Sequence, residues 1–208
     1  MFKRRRMLAL VIGCGFIAGC ARVPNTNYYT LVYPRPRRPV VYESLGATLA
    51  IDRVLADSLH RQSQIIYYTP PNTVNMYFYH RWATPPPEML AQRLHDQFAA
   101  SGLFKQVTTY APGEDTDYVL RATIVKLAEV DEPTGARVVV ELSAKLLEGG
   151  TGKPIWMGTG ADERTVSLTN MEEIVNAMNE GVEASVSQII AGVHQALMSV
   201  RAESKEAK

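Results

Sequence analysis

Gly149-Gly150-Thr151-Gly152-Lys153-Pro154 comes nearest to a chemical signature, because a glycine-rich loop ending in lysine can cradle phosphates with its backbone N–H groups. The pattern fails at both ends. Leu147 occupies the place of the first glycine, and Pro154 replaces the serine or threonine that would hold magnesium, so the stretch reads as a hairpin turn. Gly158-Thr159-Gly160 lacks the third glycine and the following helix of a dinucleotide site. The four histidines, His60, His80, His95 and His194, have no spacing that would set two on one helix face as zinc ligands. No Gly-x-Ser-x-Gly elbow is present. The acid pairs Asp115 with Asp117 and Glu172 with Glu173 fall where a turn and a helix start are expected, and there they act as solvated or capping groups. The sequence therefore predicts no catalytic residue, no metal site, no diffusible cofactor and no enzymatic activity.

One thiol has a different chemistry. Lys3, Arg4, Arg5 and Arg6 precede an apolar run over residues 7–18, and small residues close it, which is the anatomy of an export signal. As a helix that run would span about 18 Å, against a hydrocarbon core of roughly 30 Å, too short for a transmembrane anchor. The run ends in Ile17-Ala18-Gly19-Cys20, which resembles the lipobox of bacterial lipoproteins. The resemblance implies diacylglyceryl transfer to the Cys20 thiolate, cleavage between Gly19 and Cys20, and a covalent lipid on Cys20 as the only attached group. Cys14, in Val11-Ile12-Gly13-Cys14, leaves too few apolar residues before it and is removed with the signal. Ala21 follows the cysteine where aspartate would resemble an inner-membrane retention signal, so the resemblance points to the periplasmic face of the outer membrane, with the inner membrane as the alternative.

Removing the four basic residues before Cys20 takes the formal charge from +1 to −3. A mildly acidic chain lacks the basic face that displaces counterions from phosphates, which excludes nucleic acid as a partner. A chain of 208 residues that is 46% hydrophobic fits one domain with appendages. The expected division is a signal peptide over 1–19, an anchor with a first short strand and spacer over 20–46, a domain over 47–200, and a charged tail over 201–208 that frays. Pro34-Arg35-Pro36-Arg37-Arg38-Pro39 favours extended polyproline II and reads as a spacer. A contact of Arg35, Arg37 and Arg38 with anionic lipid head groups or an acidic partner is the alternative.

The elements follow from periodicity. Residues 28–33, 48–54, 64–68 and 75–80 are short β-branched or aromatic runs, and 137–147 is the most regular strand. There Val138, Val140, Leu142, Ala144 and Leu146 share one face while Arg137, Glu141, Ser143 and Lys145 share the other. Its expected partners are 117–130 and 154–167, joined by turns at Glu132-Pro133-Thr134-Gly135 and Gly149-Gly150-Thr151-Gly152. A first helix is predicted with Thr84 as N-cap, Pro85 at its first position, and Leu90, Leu94 and Phe98 as its apolar stripe, ending at Ser101-Gly102. A second is predicted to start at Thr169 with Glu172 completing a capping box, and to run through Val175, Met178, Val182, Val186, Ile189, Val193 and Leu197 as core. The fold class is α+β: a mixed, largely antiparallel sheet with two helices packed on it, in the order strands, helix, strands, long C-terminal helix.

Tyr77-Phe78-Tyr79-His80-Arg81-Trp82 remains as a dense aromatic stretch, and Tyr77, Tyr79, Arg81 and Trp82 are candidate partner contacts. Together with the lipobox, Tyr28-Tyr29-Thr30-Leu31, Ile51-Asp52-Arg53-Val54, Gln64-Ile65-Ile66-Tyr67-Tyr68 and the Leu90, Leu94, Phe98 helix, it resembles the ABC-type transport auxiliary lipoprotein family, which includes lipoproteins of the paraquat-inducible intermembrane transport system. The chain departs from that pattern at Leu55-Ala56-Asp57-Ser58-Leu59-His60-Arg61, where the family often carries a proline-rich approach to the strand. The resemblance implies a non-catalytic accessory lipoprotein of an ABC-type system moving lipid between membranes. Its partners would be the membrane, through the lipid anchor, an MCE-domain protein and the permease–ATPase complex, with homo-oligomerisation open. A structural or assembly lipoprotein of the outer membrane, similar in role to the lipoprotein partner of the lipopolysaccharide translocon, is the second reading. A lipoprotein enzyme or small-ligand binder is the third.

Overall fold

The computed structural model describes residues 24–31, 40–167 and 170–206. The expectations placed on the basic N-terminus, on Cys14, Gly19 and Cys20, on the 34–39 segment and on Thr169 fall outside them. Strict alternation over residues 137–147 builds the centre of the fold, since Val138, Val140, Leu142, Ala144 and Leu146 are all buried in one core. They belong to β8 (Gly135–Glu148), flanked by antiparallel ladders to β7 (Tyr118–Glu132) and β9 (Pro154–Val166). The turns joining these strands fall at Pro133-Thr134 and at the glycine run after Glu148. Gly152 there adopts φ +69°, a left-handed backbone that glycine enters without steric cost.

The other edge of β7 is shared by three short strands that pair with it in parallel, β2 (Thr48–Ile51), β3 (Leu55–Ala56) and β4 (Gln64–Thr69). The sheet thus forks. Beyond β2 lies β6 (Gln106–Thr109), parallel to it, and beyond β4 lie antiparallel β5 (Thr73–Trp82) and then β1 (Asn27–Tyr29), parallel to β5. The Leu127 N–H, in the gap between β3 and β4, is satisfied by a side chain: it donates to His60 Nε2 at 3.2 Å. His60 Nδ1 lies 2.8 Å from Asp57 Oδ1, and the His60 backbone N–H, followed by its imidazole, holds the Asp57 carboxyl below its ordinary value. His60 is therefore a wedge that completes the sheet.

Two helices cover one face of this sheet. α1 (Pro86–Ser101) buries Leu90, Leu94 and Phe98, and ends at Gly102, whose φ of +67° and N–H to the Ala99 carbonyl close the last turn. Its start corrects the expectation at Thr84: the N-cap is Pro85 and the first helical residue is Pro86, with no side-chain cap. A cap side chain must accept from the N–H of the second or third helical residue, and from Thr84 those positions are Pro86 and Pro87, which carry none. α2 (Met171–Glu206) also starts later than predicted, with the Glu173 N–H donating to Asn170 Oδ1 at 2.9 Å. Asn170 thus caps the helix among the described residues. The tail expected to fray after Arg201 stays helical to Glu206.

Val175, Met178, Val182, Val186, Ile189, Val193 and Leu197 are all buried on the sheet side of α2. The helix lies unusually close to it because small residues meet across the contact. A Cβ on Gly160 of β9 would stand 2.0 Å from the Ser185 carbonyl oxygen, and one on Gly181 would stand 2.7 Å from a Val140 methyl. Next to Gly160, the Gln188 amide accepts from the Ala161 N–H at 3.1 Å and donates to the Ala161 carbonyl at 2.9 Å. Gly160→Ala is expected to push α2 off β9 and cost about 1–3 kcal/mol in urea unfolding. An unchanged midpoint would show that the contact is slack.

Candidate functional site

The β1–β5–β4 branch gathers most of the aromatic residues that the sequence singles out. Pairing puts Tyr67 opposite Glu129 and opposite Asn75, so these side chains share the helix-covered face. Tyr77 joins them: its ring centroid is 4.6 Å from that of Tyr67, and its hydroxyl donates to Glu129 Oε2 at 2.8 Å. His80 meets the Tyr77 ring edge-on at 5.6 Å, and its Nδ1 is 2.9 Å from the Tyr29 hydroxyl. Thr69 and Asn75 extend the chain of contacts to Asp131.

Glu129 is 1% exposed, among apolar strands. Burial raises the pKa of its carboxyl above the ordinary value, while the Tyr77 hydrogen bond opposes the rise. Tyr77 is pushed far up, first by burial and then by that same carboxylate. A carboxyl whose folded pKa exceeds its unfolded one favours the folded state at low pH. That contribution is lost as pH rises from the ordinary glutamate value to the raised one. Glu129→Gln, which keeps an acceptor for Tyr77, is expected to remove this slope from a stability-against-pH curve and to leave stability at neutral pH equal or higher. Tyr77→Phe removes the opposing hydrogen bond and is expected to cost about 1–3 kcal/mol at neutral pH. Parallel curves for wild type and Glu129→Gln would refute the assignment.

Of the four candidate contacts in this stretch, two turn inward. Trp82 is 2% exposed, in the core, and its backbone N–H donates to the Ser63 carbonyl. Tyr77 is committed to Glu129. Tyr79 and Arg81 face outward, and Arg81 stands opposite Tyr28. Sequence reasoning passed over Phe78, which is 80% exposed. Its outward position continues the alternation of Val74 and Met76, and the irregular register between β4 and β5, where β5 carries extra residues between Met76 and Arg81 relative to Gln64 and Ile66, changes the sides only after it. That bulge brings His80 to the side of Tyr77 and turns Tyr79 out beside Phe78.

A cleft of about 690 Å³ opens elsewhere, between α1 and the carboxyl ends of β2 and β6, lined by Asp52, Arg53, His95 and Arg121 among others. Its polar groups mostly satisfy one another: Arg121 pairs with Asp52 at 2.9 Å, and His95 Nε2 is 3.1 Å from the Val107 carbonyl oxygen. No group of three or more His, Cys, Asp or Glu among the described residues could hold a metal. No helix among them is long and apolar enough to cross a membrane.

Residues 29–190 match the family model for the ABC-type transport auxiliary lipoprotein component. The chain belongs to that family. Its members are auxiliary lipoproteins of ABC-type transport, and the matched span runs from the last residue of β1 into α2 and so takes in β2 to β9. Among solved structures, a DUF330 protein from Xanthomonas campestris has a TM-score of 0.69 at 17% identity over 84% of this chain and 99% of its own. An uncharacterised protein has 0.62 at 17% identity with the same coverage. A hypothetical protein from Chlamydia trachomatis has 0.52 at 8% identity over 74% of this chain and 99% of its own. At such identities the likeness shows a shared fold. No curated protein is significantly similar in sequence.

Proposed function

We propose that this auxiliary lipoprotein is anchored through lipid on Cys20 at the periplasmic face of the outer membrane. There it serves, without catalysis of its own, as the accessory component of an ABC-type system that moves lipid between membranes. The family match over residues 29–190 carries the reading. Three features support its finer parts: the Ile17-Ala18-Gly19-Cys20 lipobox, Ala21 after the cysteine, and a 34–39 segment whose prolines suit a spacer. The partners in this reading are an MCE-domain protein that crosses the periplasm and, through it, the permease and ATPase.

Co-purification tests it. The acylated protein, isolated from solubilised envelopes after mild cross-linking, is expected to carry an MCE-domain protein with it and to sediment with outer-membrane fractions. Recovery with inner-membrane fractions would overturn the location. Reproducible isolation without any transporter component, from cells that express the complete system, would overturn the role.

A further inference from the structure

We propose that the outer face of β1 and β5 is a lipid-contacting surface that lies against the membrane holding the Cys20 anchor, an inference that rests on the reading of Cys20 as acylated. The face is built by alternation. Tyr68 pairs with Val74 and Ile66 with Met76, so these four share the side of the sheet away from the helices. Phe78 continues the alternation of Val74 and Met76, the bulge adds Tyr79, and Tyr28, paired with Arg81, extends the face onto β1. The result is a run of exposed Tyr28, Phe78, Tyr79, Val74 and Met76 beside one arginine, with no helix over it. Apolar side chains interspersed with tyrosine and a basic residue are what a bilayer interface accepts, because the aromatic rings sit at head-group depth and the guanidinium reaches phosphate.

Charge and reach both favour lipid over other occupants. β1, β4 and β5 contain no aspartate or glutamate, and Arg81 is their one lysine or arginine, although the mature chain as a whole is acidic. An anionic surface therefore meets no like charge within these strands. Only seven steps of chain separate Cys20 from Asn27, so β1 stands no farther than about 25 Å from the acylated residue even when the tether is fully extended. β1 runs parallel to β5, with Asn27 opposite His80, so the tether leaves the sheet on the side of Phe78 and Tyr79. A patch held this close meets the membrane at high effective concentration, and weak intrinsic affinity is enough to keep it there.

The test uses the processed full chain. Signal removal takes Cys14 and acylation caps Cys20, which leaves Phe78→Cys as the single free thiol for a nitroxide. The same label at Met198→Cys, near the C-terminal end of α2, is the control, and both sites are exposed enough for the fold to tolerate the change, which near-ultraviolet circular dichroism verifies. In vesicles of phosphatidylethanolamine and phosphatidylglycerol, access of a water-soluble nickel complex to the label at 78 is expected to fall severalfold below that at 198, with oxygen access rising. Equal nickel access at the two sites would overturn the proposal and leave a protein partner as the occupant. Spin–spin broadening at 78 would overturn it in favour of a second copy. Failure of the purified chain to float with vesicles at all would instead sink the reading of Cys20, and the patch would lose the tether that argues for lipid.

Discussion

Replacing Cys20 by alanine is expected to abolish metabolic labelling with fatty acid and to leave the precursor uncleaved by the lipoprotein peptidase. The chemistry allows no intermediate outcome, because the thiol is the acceptor of the diacylglyceryl group and alanine has none. The physical consequence is large. A single myristoyl chain binds membranes with a constant on the order of 10⁴ M⁻¹ and each further buried methylene adds about 0.8 kcal/mol, so the two or three chains of a bacterial lipoprotein make release negligible. The variant should therefore be lost from the outer-membrane fraction, because the uncleaved precursor keeps its basic and apolar N-terminal segment and stays with the inner membrane. Labelling that persists in Cys20→Ala and disappears in Cys14→Ala would move the anchor to the earlier cysteine.

Trp82→Ala is expected to cost about 3–5 kcal/mol, the range for truncating a fully buried aromatic side chain. Trp82 closes β5 three residues before Pro85, the N-cap of α1, and its neighbour across the pair is Tyr29 of β1. Its loss thus loosens the junction of strand, helix and N-terminal strand together. For a domain of this length each kcal/mol shifts the melting temperature by about 2–4 °C, so thermal denaturation should show a fall of roughly 6–20 °C. A variant that melts like wild type yet no longer binds its partner would show that the indole acts at an interface.

How much of this was legible depended on how local the signal was. β8 and its two neighbours announce themselves through alternation and glycine-marked turns, and the α2 stripe recurs over many turns, so pattern alone yields the α+β class and the helix-covered sheet. β6 escapes because Gln106-Val107-Thr108-Thr109 holds one aliphatic residue and is a strand only through its parallel partner β2, whose pairing brings together residues more than fifty positions apart. β3 is two residues long and exists because β7 offers it an edge. The start of α1 shifts from Thr84 because prolines remove the donors that its side chain would need, and among the described residues the cap of α2 is Asn170. In the site, Glu129 was passed over inside the strand predicted over 117–130. A carboxylate in a nearly continuous apolar run is itself a signal, but its partner Tyr77 lies on another branch of the sheet, and no spacing along the chain connects them.

The Gln188 amide on Ala161 has a consequence for many copies held on one surface. Lipid-anchored proteins diffuse in two dimensions, so neighbours collide side by side far more often than they would free in solution. β9 is a long strand with nothing among the described residues paired to its outer edge, and an open edge of that length invites the next molecule to continue the sheet. Near the middle of that edge, both backbone groups of Ala161 are already bonded to the Gln188 side chain of α2, which the close approach at Gly160 brings within reach. If Cys20 carries lipid and copies crowd on one membrane, the occupied Ala161 groups are expected to hinder edge-to-edge pairing at the middle of β9.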